Sequence, residues 1–452
     1  MNKKYSRILV ANRGDSAVRI IRACKELGIE TVAIYSKADR GVLHTRLADY
    51  AVCIGDVKCT DSYLNSYNIL AVANKYKVDA IHPGIGFFSE SSRFAQLCRE
   101  CEIDFIGPDS ELIYKLGNKI EAKKIAKSCN VPVIGDNSYD VRTKEECISL
   151  ISTMGYPIIL KAANGGGGKG IRVVEEEKDL LSAYDICLKE SKQYFGDSTI
   201  LLEKYIEKAK HVEVQIIADQ YGNVIQLGDR ECSILRSNQK LIEETRCCTL
   251  SDKTRNEMYQ CAIEICKNIG YVGVGTIEFL VEEDESFYFM EMNTRLQVEH
   301  TISELLTGVD LVKEQIQIAQ GMELSYKQQD IEFHGYALQC RILAEYYTDK
   351  FIPDSGKILR FDMPGGFGVR VDSAYEVGNT VTTYNDSLLC KICCHGKSKL
   401  EAIKKMVRSL EEMQIEGIRT NKNVLIEILK NPRFLTGEYT TTFLQEDGWN
   451  LI

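Results

Sequence analysis

From residue 7 the chain alternates between two hydrophobic rhythms. Short apolar runs at 8–11, 31–35, 50–54, 80–81 and 105–106 read as strands, and the stretches between them carry helical spacing. The first unit shows the pattern: a strand at 8–11, a turn at 12–14, then an amphipathic helix to Leu27 closed by Gly28. Strands that alternate with helices predict a parallel sheet covered on both faces. The turns 12–14 and 82–86 lie at strand C-terminal ends and so would face a ligand crevice. No GxGxxG occupies the first turn, so dinucleotide binding is not supported.

The rhythm changes at about residue 131. Residues 157–161 (PIILK) form a strand, 162–170 (AANGGGGKG) a glycine loop, and 171–174 (IRVV) a second strand. A Walker loop needs GxxxxGK[ST] with a helix after it, and this segment fails on spacing and context. A glycine loop in a hairpin can still close over phosphates, because its amides approach unhindered; the plain alternative is a surface hairpin. From about 206 the chain is mixed and strand-rich. His211, Glu213 and Gln215 alternate with Val212, Val214 and Ile216, giving that strand one polar face, and 401–413 forms an amphipathic helix.

The densest chemistry lies at 275–300. Residues 276–281 and 287–293 read as hairpin strands around a turn at 283–286; pairing Glu282 with Phe287 sets Glu278 opposite Glu291, with Asn293 on the same face. Like charges facing each other in apolar strands are destabilising, and a divalent cation held by two carboxylates and an amide oxygen relieves them; Mg²⁺ or Mn²⁺ suits such ligands. The alternative is a solvated acidic face. If 293–300 is extended, Arg295, Gln297 and Glu299 share one side, forming either an anion pocket with a general base or a surface salt-bridge ladder. Periodicity alone does not place Lys119, Lys161, Lys240 or Arg341.

Composition narrows the class. The chain has 452 residues, 44% hydrophobic and 27% charged, and no apolar run long enough to cross a membrane. A net charge of −9 argues against general nucleic-acid binding. Seventeen scattered cysteines, an odd number without a leader-like segment, point to reduced thiols and a cytoplasmic setting. Two CxxC spacings, Cys98/Cys101 and Cys390/Cys393, lack the partner pair that zinc would need. Arg13-Gly14-Asp15 spells an adhesion tripeptide directly after a buried-type strand and reads as coincidence.

Together ILVANRG (8–14), IHPG (81–84), the glycine loop and EMNTRLQVEH (291–300) resemble biotin carboxylase, of the ATP-grasp superfamily, over nearly the whole chain. The resemblance implies an α/β ATP-grasp fold in three parts: a Rossmann-like N-terminal domain (1–118), an ATP-grasp region (119–320) with a mobile glycine-loop lid (about 131–205), and a mixed α+β C-terminal domain (335–443). It implies that ATP and bicarbonate yield carboxyphosphate and that biotin on a separate carrier protein is then carboxylated. Lys119, Lys161 and His211 match nucleotide-phosphate contacts, Gly167 and Gly168 the closing loop, and Glu203, Lys204, Tyr205 and Ile206 the adenine strand. Asn238, Glu278 and Glu291 also match the ATP site, and Glu278, Glu291 and Asn293 match the metal ligands. Lys240, Arg295, Gln297 and Val298 match the bicarbonate pocket, Glu299 its base, and Arg341 the group facing biotin. Implied partners are a biotin carboxyl carrier protein, carboxyltransferase subunits and a second copy in a homodimer. The implied setting is acetyl-CoA carboxylase and fatty acid biosynthesis, or a related acyl-CoA or pyruvate carboxylase.

Departures from the family pattern cluster near the implied substrates: Ile85 for tyrosine, Leu235 and Ser237 for glutamine and arginine, Thr245-Arg246 for an Ala-Pro pair, and Leu343 for asparagine. They leave two alternatives open: a non-catalytic, nucleotide-binding paralogue, and an ATP-grasp ligase for another substrate.

Overall fold

The computed structural model describes residues 3–134, 139–164, 170–196, 198–236, 239–347 and 351–446. Five strands form the first sheet: β1 (Arg7–Val10), β2 (Glu30–Ser36), β3 (Tyr50–Gly55), β4 (Ala80–His82) and β5 (Asp104–Phe105), in the order β3-β2-β1-β4-β5 with every pair parallel. Alternation on β1 explains why both faces are covered. Ile8 and Val10 pack with Ile20 and Ile21, while Leu9 joins Tyr63, Ile69 and Phe94 on the other side. Each such fully buried side chain contributes about 1.5–3 kcal/mol. The Ile8 face also takes up Ile217, Val274 and Leu296, which anchors this sheet against the large one.

A second sheet joins β6 (Tyr139–Val141), β7 (Ile158–Ala162), β8 (Ile171–Val174) and β9 (Ile200–Lys204) in the order β6-β9-β7-β8. The hairpin that the glycine loop suggested is present, with Ile158 opposite Val174 and Lys161 opposite Ile171. Helices Lys144–Met154 and Glu177–Phe195 cover this sheet and share its own core through Ile151, Leu180 and Tyr184.

The third sheet carries the site. It contains β10 (Lys210–Ala218), β11 (Val224–Arg236), β12 (Gln239–Thr245), β13 (Gly273–Val281), β14 (Phe287–Asn293) and β15 (Tyr336–Leu343), with two later strands, Leu388–Gly396 and Val369–Ser373. Its eight strands run antiparallel in the order β14-β13-β10-β11-β12-β15, then Leu388–Gly396 and Val369–Ser373. Pairing of β12 with β15 therefore carries one sheet from the middle of the chain into its C-terminal part. The late amphipathic helix spans Lys399–Glu412 and buries Ala402, Ile403, Met406 and Leu410. The α/β class expected from the sequence is the one observed, with a parallel N-terminal sheet.

Two sequence motifs resolve into packing. All seventeen cysteines are free thiols. Cys390 and Cys393 lie three apart on one strand, so they point to opposite faces, and burial pushes the Cys393 thiol up to about 12. In the tripeptide, Arg13 is buried against Asp39 at 2.7 Å, Gly14 takes a left-handed φ of 65°, and Asp15 meets Lys391 at 3.2 Å. It is not an adhesion loop. Among the described residues no helix is long and apolar enough to cross a membrane.

Candidate active site

The carboxylate hairpin pairs Glu278 with Glu291, as the sequence suggested, but not by the count that suggested it. Val281 faces Phe287 and Phe279 faces Phe289, one residue out of step with the Glu282–Phe287 pairing expected; an extra residue at Met290 then shifts the register, so that Glu278 meets Glu291 and Thr276 meets Asn293. The turn accounts for the slip, since the Glu282 amide donates to the Ser286 carbonyl and tightens the loop by a residue. A β-bulge absorbs the difference and re-aims the acidic end of the strand.

That register builds a row of charges across four strands. Arg230 on β11 faces Glu213 on β10, Glu213 faces Glu278 on β13, and Glu278 faces Glu291 on β14. Three carboxylates side by side need cations, and the fold supplies them. Arg230, fully buried, donates to Glu213 Oε1 at 2.5 Å. Lys240, projecting from β12, reaches Glu213 and Glu299 at 2.7 Å and Glu278 at 3.3 Å. His211 Nε2 lies 2.9 Å from Glu278 Oε2. Burial alone would raise the Glu278 carboxyl, but Lys240 and then His211 outweigh it and hold the group well below the usual carboxylate range. Ligand atoms of His211, Glu213 and Glu278 lie within 4.8 Å of one another.

The stretch after the hairpin corrects the sequence expectation of an extended segment. Residues 294–297 are irregular and Glu299 sits at the N-cap of helix His300–Thr307, so Arg295, Gln297 and Glu299 do not share the face of a strand. They converge through a turn instead. Arg295 donates to Gln297 Oε1 at 3.1 Å and Asn293 Oδ1 at 2.9 Å, while Gln297 and Asn293 both donate to Glu278 Oε1. Glu299, wholly buried, gives one carboxylate oxygen to Lys240 and the other to Arg341 at 3.0 Å. Burial opposes its ionisation, yet Lys240, Arg341 and Arg230 hold it ionised far below the ordinary range. Arg341 also grips Glu243, whose carboxyl burial pushes up despite that partner. Among the described residues, Gln297 and Glu299 are buried in this network rather than set in a solvated salt-bridge ladder.

A second cluster lies beyond Glu291. Lys119, the first residue of helix Lys119–Ser128, pairs with Glu291. Lys161 on β7 meets Glu203 Oε2 on β9 at 2.8 Å, and Lys123 approaches the other oxygen. Burial, then Lys119, lowers Lys161 to about 8; burial, then Lys161 and Lys119, lowers Lys123 to about 6. Pro157, Lys204, Tyr205, Ile206 and Glu282 line a cavity of about 400 Å³ at the edge of the second sheet. Gly167, Gly168, Ser237 and Asn238 lie outside the described residues.

Sequence reasoning assigned no role to Glu90, Glu213, Arg230 or Glu243. Glu90, on the turn after β4, binds Arg295 Nε at 2.7 Å. Glu213 was visible as the centre of the polar face of its strand; nothing local marks the others, whose partners are distant in sequence. The departures from the family pattern fall in two groups. Thr245 bridges to the Ala337 backbone and Leu343 fills the C-terminal core, whereas Leu235 faces Lys240 across the β11–β12 hairpin.

Family models match three consecutive stretches: "Biotin carboxylase, N-terminal domain" at 4–113, "Carbamoyl-phosphate synthase L chain, ATP binding domain" at 118–327 and "Biotin carboxylase C-terminal domain" at 339–446. A Bacillus subtilis protein named biotin carboxylase 1 is 48% identical over 440 residues, covering 97% of this chain and 98% of its own. The chain belongs to the biotin carboxylase family. Other members serve different carboxylases: a 2-oxoglutarate carboxylase small subunit of Hydrogenobacter thermophilus is 44% identical, with 98% and 93% of the two chains covered. The crystal structure of the biotin carboxylase domain dimer of that organism's enzyme, with MgADP, ADP and bicarbonate, superposes with a TM-score of 0.96 at 43% identity, covering 100% of this chain and 99% of its own. Family membership makes this chain an ATP-grasp, ligase-type enzyme.

Proposed function

We propose that this chain uses ATP and bicarbonate to carboxylate biotin borne on a separate carrier protein, by way of carboxyphosphate. The observation that carries the reading is Glu299: a fully buried carboxylate clasped by Lys240 and Arg341, with Arg295 and Gln297 on the neighbouring turn. Bicarbonate is a poor nucleophile, so it needs a fixed base and a cationic cradle together. In this reading Glu299 takes the bicarbonate proton. Lys240, Arg295, Gln297 and the Val298 backbone hold the anion. Arg341, a guanidinium in a dry setting, stabilises the deprotonated ureido oxygen of biotin.

ATP would lie along the lysine cluster, with Lys119, Lys161 and His211 toward its phosphates and Glu203, Lys204, Tyr205 and Ile206 toward the adenine; Gly167, Gly168 and Asn238 complete that assignment. The donor set suits Mg²⁺ or Mn²⁺: Glu278 and Glu291 face each other with hard oxygen donors. Asn293 adds an amide whose oxygen now accepts from Arg295. When bound there, the ion neutralises phosphate charge during phosphoryl transfer.

A working division into 1–118, 119–320 and 335–443 follows, with a homodimer using 19–26 and 367–370; Phe367 is 93% exposed, which suits burial by a second copy. The carrier, carboxyltransferase subunits and setting would be those of acetyl-CoA carboxylase or a related acyl-CoA or keto-acid carboxylase in the cytoplasm. Bicarbonate-dependent ADP release by the purified chain, with and without free biotin and beside Glu299→Gln, tests the reading. Biotin-stimulated release that E299Q abolishes supports it; release indifferent to bicarbonate would sink it.

A further inference from the structure

Lys391 is a fully buried charged group that this reading leaves without a role. Its side chain is 1% exposed, and it stands on strand Leu388–Gly396 directly opposite Arg341. The ammonium donates to the Val298 carbonyl at 2.8 Å, meets Asp15 Oδ2 at 3.2 Å, and lies 3.9 Å from Asp372, itself held by Arg370. Three distant parts of the chain thus meet on one nitrogen: the first turn of helix Gly14–Glu26, the turn ahead of Glu299, and the C-terminal strands. A buried ammonium is costly unless it is paired and hydrogen-bonded, and here the Val298 carbonyl accepts from it while Asp15 pairs with it.

The geometry points to Lys391 as a positioning residue for the bicarbonate pocket. A peptide unit is planar and trans, so its C=O and N–H point opposite ways. Fixing the Val298 oxygen on Lys391 therefore fixes the direction of the Glu299 amide and the start of the Glu299 side chain, whose two oxygens must reach Lys240 and Arg341 at once. Without that anchor the irregular turn can rotate its peptide and turn a carbonyl toward the anion. Asp15, in the first turn of helix Gly14–Glu26, gives the anchor a second hold from the N-terminal part of the chain.

The inference rests on the proposed reaction, and one set of kinetics separates the two. ADP release is measured against bicarbonate and against ATP for wild type, Lys391→Met, Lys391→Gln and Asp15→Asn, with thermal midpoints alongside. K391M is expected to raise the bicarbonate KM roughly tenfold to a hundredfold, the loss of one charge-assisted hydrogen bond. The ATP KM should stay within about twofold, and K391Q, which keeps a donor, should recover part of the loss. An unchanged bicarbonate KM in K391M, or equal rises in both KM values, would overturn the role. Should neither Lys391 variant fold, D15N decides: a smaller bicarbonate-specific rise supports the anchor and no rise removes it. Wild-type turnover indifferent to bicarbonate would instead overturn the proposed reaction.

Discussion

The two ends of the site pair their charges differently. Around Lys240 the fold gathers four carboxylates (Glu213, Glu243, Glu278 and Glu299) against three cations, Arg230, Lys240 and Arg341. Beyond Glu291 it gathers three lysines, 119, 123 and 161, against Glu203 and Glu291. The first end holds Glu278 and Glu299 ionised through its own pairs, whereas the second pushes Lys161 and Lys123 down because burial and mutual repulsion are not fully relieved. Pairing is thus more complete at the acidic end than among the lysines, and incompletely paired lysines suit incoming phosphates.

The sharpest way to break this contrast is to remove the base. Glu299→Gln keeps the shape and deletes the charge, and should cut bicarbonate-dependent turnover by about 10²–10⁴. Turnover within a few-fold of wild type would mean that the carboxylate is structural. Next comes the cation that the acidic end depends on. Lys240→Met takes a shared partner from three buried carboxylates and should cost roughly 3–5 kcal/mol of stability in urea titrations, because the charge it balanced is left uncompensated. A loss near zero would show that the network is not paired as described.

The cationic end should respond through protons rather than stability. Lys161 is lowered to about 8, so between that value and its ordinary range the unfolded chain binds a proton that the native chain lacks, and this group's contribution to stability rises with pH across that window. Phosphates arriving beside it should restore its basicity. Calorimetry in buffers of different ionisation enthalpy should then find up to about one proton taken up per ATP near pH 9 and little near pH 6.5. Lys161→Gln should abolish the difference. Lys123, lowered to about 6, has at physiological pH given up a proton that the unfolded chain keeps, so Lys123→Met should not lower stability, in contrast to Lys240→Met. Equal losses at the two positions would erase the distinction between the ends.

Much of this was legible in the sequence, and the failures are instructive. Buried parallel strands announce themselves as apolar runs, which is why β1, β2 and β4 were visible. Residues 293–300 invited a strand's period of two, but a helix cap intervenes at Glu299, and convergence came from a turn. The Glu278–Glu291 pairing was inferred from a loop length that is wrong by one, and the bulge at Met290 restored it; periodicity does not reveal a bulge. Arg230 and Glu243 stayed hidden because their roles come from strands that meet only in the sheet, whereas the polar alternation at 211–215 did mark Glu213. Where the motifs were dense, at 291–300, the resemblance supplied roles that physics alone left open.

The central claim is that the two ends act together on biotin. The most direct test is transfer of labelled carbon from bicarbonate to biotin, or to a biotinylated carrier domain, with ATP and Mg²⁺ under single-turnover conditions. Acid-labile label on biotin that requires ATP and disappears in E299Q is the result predicted. ADP formation with no label reaching either acceptor would contradict it.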